Sequence, residues 1–194
     1  MRHFLKSAAT AFLCLAASVT ASAYDFEENG IYYNVLSEEE KTCEVTYEYY
    51  SDYDYHSDYE GEIVIPEQAN GYRVTRIGYY AFSGCDHLTG IIIPDGVTSI
   101  GNDAFYCCER LTSITLPAGL KTIGYEAFFG CRNLADITLP GGVTTIGESA
   151  FGSCSSLTNI TIPASVTSIG DRAFSGCSSL TNITIPAGVT SIGD

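Results

Sequence analysis

The sequence predicts a β-rich repeat solenoid, a stack of 23-residue coils. Three observations carry this. Cys85, Cys108, Cys131, Cys154 and Cys177 recur at a constant interval of 23 residues. Pro94, Pro117, Pro140, Pro163 and Pro186 keep the same step, and so do the Ala-Phe pairs that begin at Ala81, Ala104, Ala127, Ala150 and Ala173. Self-similarity at a fixed period of this size marks an array in which each repeat is one coil stacked on the next. The repeated residues are core-filling types, and no repeat contains a recognisable catalytic group.

Residues 1–23 read as a secretory signal peptide. Arg2, His3 and Lys6 form a short basic region, an apolar run follows from Ala8 to Ala17, and Ala21-Ser22-Ala23 is a small-x-small cleavage signal. The apolar run is shorter than the ~20 residues that span a bilayer. The expected mature chain starts at Tyr24 and is extracellular or held at the cell surface.

Residues 24–62 read as an acidic, tyrosine-rich cap. Ile31–Leu36 and Cys43–Tyr49 alternate apolar and polar residues around 37–42, the pattern of a β-hairpin. A terminal coil needs a cap with a polar outer face, and a hairpin rich in Glu and Tyr supplies one. The whole chain holds 9 basic and 23 acidic residues, and removing Arg2 and Lys6 leaves a formal charge of −16. The cap carries 13 of those acids against Lys41 alone. A surface this acidic repels phosphate backbones, which excludes nucleic acid as an expected partner.

Residues 63–194 read as the array. Within one copy, Leu180 to Ile185 alternate as a half-buried strand, with Ile183 and Ile185 inward and Thr184 outward. Pro186 ends that strand because it has no N–H to donate. Val189 and Ile192 mark a short extended return closed by Gly193. Ala173, Phe174 and Cys177 have the spacing of one turn of α- or 3₁₀-helix. The first coil is irregular: Pro66 to Pro94 is 28 residues, with the extra turn at Ala69-Asn70-Gly71-Tyr72. The chain stops at Asp194, nine residues into a further copy, as a fragment of a longer array would.

The strand segment Leu-x-x-Ile-x-Ile resembles that of leucine-rich repeats. Proline follows the strand directly, and Val-x-x-Ile-Gly-x-x-Ala-Phe-x-x-Cys-x-x-Leu fills the rest. That 23-residue pattern resembles the BspA-like leucine-rich repeats, also described from treponemal surface proteins, over about Ile63 to Asp194. The resemblance implies a right-handed coil stack in an extracellular or surface protein, with some members adhering to host matrix proteins or other cells. It supplies no catalytic motif and no cofactor.

The column cysteines are expected to be reduced and buried. Equivalent residues of adjacent coils have parallel Cα–Cβ vectors about 4.8 Å apart, whereas a disulfide needs converging Cβ atoms near 3.8 Å, about the observed mean. Cys43 and Cys107 lie outside the column and their pairing stays open.

Enzymatic function is not expected: the mature chain has two histidines, His56 and His87, and no nucleophile or phosphate-cradling motif. Asp52, Asp54 and Asp58 have the alternate spacing that opens a calcium loop, but the sixth position is Ser57 and the twelfth Ile63, where such a loop has Gly and Glu. A solvated acidic loop is the competing reading. The remaining candidate is a polar face on a concave sheet: Ser113 and Thr115, Asp136 and Thr138, Asn159 and Thr161, Asn182 and Thr184. Solenoids bind through such faces, here a protein or glycan, on host matrix or partner cells. Stacked Thr and Asn that merely reinforce the ladder are the structural alternative. Asn159-Ile-Thr161 and Asn182-Ile-Thr184 also match glycosylation acceptors. The functional reading is an adhesion or recognition module. A spacer that presents a further C-terminal domain is the alternative.

Overall fold

The computed structural model describes residues 23–51, 54–56 and 58–194. Residues 1–22, all but the last residue of the expected signal peptide, lie outside the described residues. The N-terminal portion forms β1 (Phe26–Glu28), β2 (Ile31–Ser37), β3 (Thr42–Thr46), β4 (Tyr49–Ser51) and β5 (Asp54–His56). The coils follow with β6 (Glu60–Val64), β7 (Gln68–Ala69), β8 (Tyr72–Ile77), β9 (His87–Ile92), β10 (Ser99–Ile100), β11 (Ser113–Thr115), β12 (Thr122–Ile123), β13 (Asp136–Thr138), β14 (Thr145–Ile146), β15 (Asn159–Thr161), β16 (Ser168–Ile169) and β17 (Ser191–Ile192). No helix occurs among the described residues.

The coils are held by three sets of inter-coil hydrogen bonds. The short returns form one parallel ladder, in the order β8, β10, β12, β14, β16, β17, which aligns Ile77, Ile100, Ile123, Ile146, Ile169 and Ile192. The hairpin of β2 and β3 caps the array by extending this ladder: β3 pairs parallel to β8, and β1 pairs antiparallel to β2. The strands proper form a second set, β6–β9–β11 and then β13–β15. A third set runs through the turns, where Phe82, Phe105, Phe128 and Phe151 each donate N–H to the alanine carbonyl of the next coil at 2.8 Å.

The turn segment, expected as helical or 3₁₀, has the i to i+3 bonds of that geometry, such as Ser83 N–H to the Tyr80 carbonyl at 3.1 Å and Cys85 N–H to the Phe82 carbonyl at 3.2 Å. It does not propagate as a helix. Tyr80, Asp103, Glu126, Ser149 and Arg172 all adopt φ between +47° and +54°, and a left-handed residue ends a right-handed helix. A second left-handed column precedes each column cysteine: Gly84, Cys107, Gly130, Ser153 and Gly176. Cys107 therefore stands where three other coils carry glycine, which accounts for its place beside the column.

The core is a set of stacked columns. Phe82, Phe105, Phe128, Phe151 and Phe174 stack with centroids 5.0–5.6 Å apart and planes within 8°. Tyr59, in a stretch with no readable period, is buried on top of this column, 4.8 Å from Phe82. The five column cysteines are free and buried, as is Cys43, while Cys107 is free and half-buried. The glycine that follows each return allows close approach of the coils: a Cβ on Gly101 would lie 2.8 Å from the Gly78 carbonyl carbon.

The last copy departs from expectation. Residues 181–186 form no strand, and Ile183 and Ile185, expected inward, are 38% and 40% exposed. One neighbouring coil covers them rather than two, which leaves half of each side chain without packing partners.

Candidate functional site

The strand set presents the polar face. Along β11, β13 and β15 the inward residues Ile137 and Ile160 are buried, and Ser113, Thr115, Asp136, Thr138, Asn159 and Thr161 are exposed between them. Registers align Asp136 with Asn159 and Thr138 with Thr161. Upstream, the same outward columns hold Glu62, Gly90 and Ser113, and Val64, Ile92 and Thr115. The second column is thus apolar at the cap end, through exposed Val64 and Ile92, and becomes hydroxyl-bearing from β11 onward. Asn182 and Thr184 lie in the strandless segment 181–186 and do not continue the ladder.

Between β11 and β13 the strand set is open. Thr112 N–H bonds the Thr89 carbonyl and Thr158 N–H bonds the Ala135 carbonyl, each at 2.9 Å, but no bond joins Ala135 to Thr112 among the described residues. The returns and turns of the same two coils stay bonded, through Thr144 N–H to the Lys121 carbonyl and Phe128 N–H to the Ala150 carbonyl downstream, each at 2.8 Å. The opening leaves a cleft of about 590 Å³. Ser113, Thr115, Asp136 and Thr138 form its polar rim, and Ile114, Leu116 and Ile137 its apolar wall. Backbone donors and acceptors of two parallel strands face it with no ladder partner, and such groups need pairing when covered.

Two kinds of polar side chain share this face. Thr112 and Thr158 donate their hydroxyls to the carbonyls of Thr89 and Ala135 at 2.9 and 3.2 Å, a structural role. Asn159 Nδ2 donates to Thr158 Oγ1 at 3.1 Å and lies 3.5 Å from Asp136 Oδ1, which fixes the amide. By contrast, the hydroxyls of Ser113, Thr115, Thr138 and Thr161 make no hydrogen bond among the described residues. The sequence places Ile114 and Leu116 in the core, whereas both are half-buried cleft walls. No residue pattern marks the opening, because the strand spacing of Leu111, Ile114 and Leu116 is the standard one.

Of the calcium candidates, Asp52 lies outside the described residues, Asp54 is a backbone member of β5, and Asp58 is exposed beside a smaller cleft with Tyr59, Glu60, Asp86 and His87. Among the described residues no three His, Cys, Asp or Glu side chains converge as a metal site. No described helix is long and apolar enough to cross a membrane.

The family model for the BspA type leucine rich repeat region matches residues 71–194 in six copies. Among solved structures, the T. pallidum leucine-rich repeat protein is 28% identical with a TM-score of 0.73, over 87% of this chain and 81% of that one. A leucine-rich cell surface protein from Faecalibacterium prausnitzii is 33% identical, TM-score 0.63, over 87% of this chain and 50% of its own. A leucine-rich repeat protein from Bacteroides ovatus is 30% identical, TM-score 0.58, over 88% and 56%. The chain therefore spans about half the length of the latter two. No curated relative matches it significantly.

Proposed function

Because the chain belongs to the BspA-type leucine-rich-repeat family, we propose that it is an exported or surface-displayed adhesion module that takes a protein or glycan ligand on its strand face. The observation that carries this reading is the cleft between β11 and β13. It sets four exposed polar side chains around an apolar wall and adds backbone groups that lack ladder partners. A concave or grooved solenoid face with this mixture suits an extended chain that offers both hydrogen bonds and apolar contacts. The chemistry of export belongs to the same reading: residues 1–23 act as the leader, 24–62 as the cap and 63–194 as the array. Tyr24 belongs to the fold, with its ring centroid 4.7 Å from that of Tyr32. Amino-terminal sequencing of the exported protein checks the cut before Tyr24.

Charged substitutions at Ser113, Asp136, Asn159 and Asn182 together test the site. With the fold verified by circular dichroism, attachment to matrix proteins, glycans or partner cells should fall at least about tenfold, the cost of one or two lost polar contacts. Undiminished attachment by the folded variant removes the strand face from consideration. A second reading, a spacer, is favoured by the Thr112 and Thr158 hydroxyls, which serve the ladder itself. Absence of attachment by the unsubstituted protein across the whole panel selects it.

A further inference from the structure

The turns carry a second surface that the strand-face reading does not use. Tyr79 and Tyr125 are 46% and 41% exposed and occupy the same position two coils apart, so about 10 Å separates them at ~4.8 Å per coil. Asn102 lies between them, and its Oδ1 accepts the Tyr125 N–H at 3.0 Å. The adjoining column holds Tyr80, Asp103 and Glu126, all left-handed. Beside it, Tyr106 and Phe129 stack at 5.4 Å with planes 9° apart. Aromatic rings thus surround a strip of carboxylates: Asp103, Glu126 and Glu148.

Among the described residues those carboxylates have no cation. The described ion pairs join Glu38 to Lys41, Glu44 to Arg76 and Glu109 to Arg132. Arg172, the only base in the Glu126 column, is two coils further on. Asp103 is the informative member. It is only 5% exposed, and its carboxylate makes no hydrogen bond or ion pair among the described residues. Burial, then the neighbouring Glu126 carboxylate, pushes it up to about 6. Its oxygens still reach the surface, so this enclosed carboxyl without a protein partner is open to complement by a cation.

We propose that this turn face binds a lysine- or arginine-bearing peptide segment of a partner protein, with cationic heads over Tyr79 and Tyr125 and against Asp103 and Glu126. Charge complementarity decides for this occupant over a neutral glycan, which would also stack on tyrosine. A guanidinium or ammonium is attracted to the ring face and pairs with the carboxylates at once. The spacing of the two rings matches side chains three residues apart on one face of a polyproline II segment, which repeat every ~9.3 Å.

The test is calorimetric titration of the purified protein with a blocked hexa-arginine peptide at about 0.15 M salt, where long-range charge is screened. Tyr79→Leu with Tyr125→Leu keeps every charge and should weaken binding at least about tenfold, as two lost cation–π contacts imply. Tyr79→Phe with Tyr125→Phe keeps the ring faces and should bind within about twofold of the parent. Glu126→Gln should weaken binding several-fold. Replacing Glu38, Glu39 and Glu40 of the cap by Gln should leave it unchanged. If the Leu pair binds as the parent does while the cap variant does not, the peptide is reading the general acidity and the proposal fails. It fails equally if hexa-arginine does not bind, or if cellohexaose binds in its place and is lost with the Leu pair.

Discussion

The thiol of Cys131 donates a 3.2 Å hydrogen bond to the carbonyl oxygen of Phe105, 26 residues earlier in the chain. The same bond recurs from Cys108 to Phe82 at 2.9 Å, Cys154 to Phe128 at 3.1 Å and Cys177 to Phe151 at 3.0 Å. Cys85, in the first of these coils, follows Tyr59 rather than a column phenylalanine by 26 residues, and its thiol also reaches the Ser83 carbonyl at 3.9 Å. The column needs a side chain that is small, apolar and able to donate. Alanine or valine would lose the donor, and serine would bring a stronger hydration cost. The repeated cysteine is therefore a packing residue with a polar duty.

Thiol reactivity follows from this arrangement. Burial pushes Cys154 up to about 12 and Cys131 well above its ordinary value, which leaves almost no thiolate at neutral pH. Alkylation of the native protein without reductant should spare the five column cysteines and modify half-buried Cys107 first. All seven should react after denaturation, as read by mass spectrometry. Two or more disulfides among the five would contradict the column geometry.

The two faces of a coil should respond unequally to truncation. Phe128→Ala removes a ring stacked between Phe105 and Phe151 and should destabilise by about 3–5 kcal/mol. Thr138→Ala, on the exposed side of β13, should cost well under about 1 kcal/mol. Denaturant melts decide, and equal losses would mean the faces are misassigned.

Tyr33 offers the opposite case. It is fully buried in β2, and its hydroxyl has no hydrogen-bond partner among the described residues. Removing a buried, unpaired hydroxyl relieves its desolvation cost. Tyr33→Phe should raise stability by about 1 kcal/mol in the same melts. A loss of that size would reveal a partner for the hydroxyl.

Asp103 sets a pH dependence. Its folded value of about 6 lies above its ordinary value of 3.8, so the native state binds the proton more tightly than the unfolded chain does. Stability from this group is therefore full below about pH 4 and is lost as pH rises through 6. Asp103→Asn should stabilise at pH 8 by about 1–2 kcal/mol, a discounted figure for a carboxyl near the surface, and by nearly nothing at pH 4. A gain independent of pH would assign the effect to something other than ionisation.

Most of the architecture was legible in the chain. The columns through Cys131, Phe128 and Ile123 are buried and stacked, and the cap hairpin of β2 and β3 follows the alternation of Ile31–Leu36 and Cys43–Tyr49. The turn was read less well. Apolar spacing of one, three and four suits a helix, and only a backbone angle distinguishes it from linked turns. Gly84, Gly130 and Gly176 hint at one left-handed column, but Tyr80, Asp103, Glu126, Ser149 and Arg172 give no hint of the other. Tyr59 escaped because it enters the phenylalanine column from outside the period. On the strand face, the residues Ser113, Thr115, Asp136 and Thr138 were legible as exposed polar positions. The cleft among them was not, since it arises from hydrogen bonds that fail to form between two strands of ordinary sequence. Asn182 and Thr184 have the right pattern but lie in a coil covered on one side, where the strand does not persist.

The constant separation of partners has a genetic consequence. Among the regular coils, inter-coil bonds join residues 22, 23, 24 or 26 positions apart, whichever coil is considered. Copying any 23-residue stretch in tandem therefore restores every one of these pairings, wherever the copied stretch begins. A recombination event need not respect the boundary of a coil to yield a folding product. Residues 140–162 and 163–185 differ at only seven of 23 positions, none of them in a Val, Ile, Ala, Phe, Cys or Leu column, as a recent duplication of this kind would leave them. Array length is thus a trait that can drift without a folding penalty at the junction, while the exposed positions of whichever copies remain are free to change.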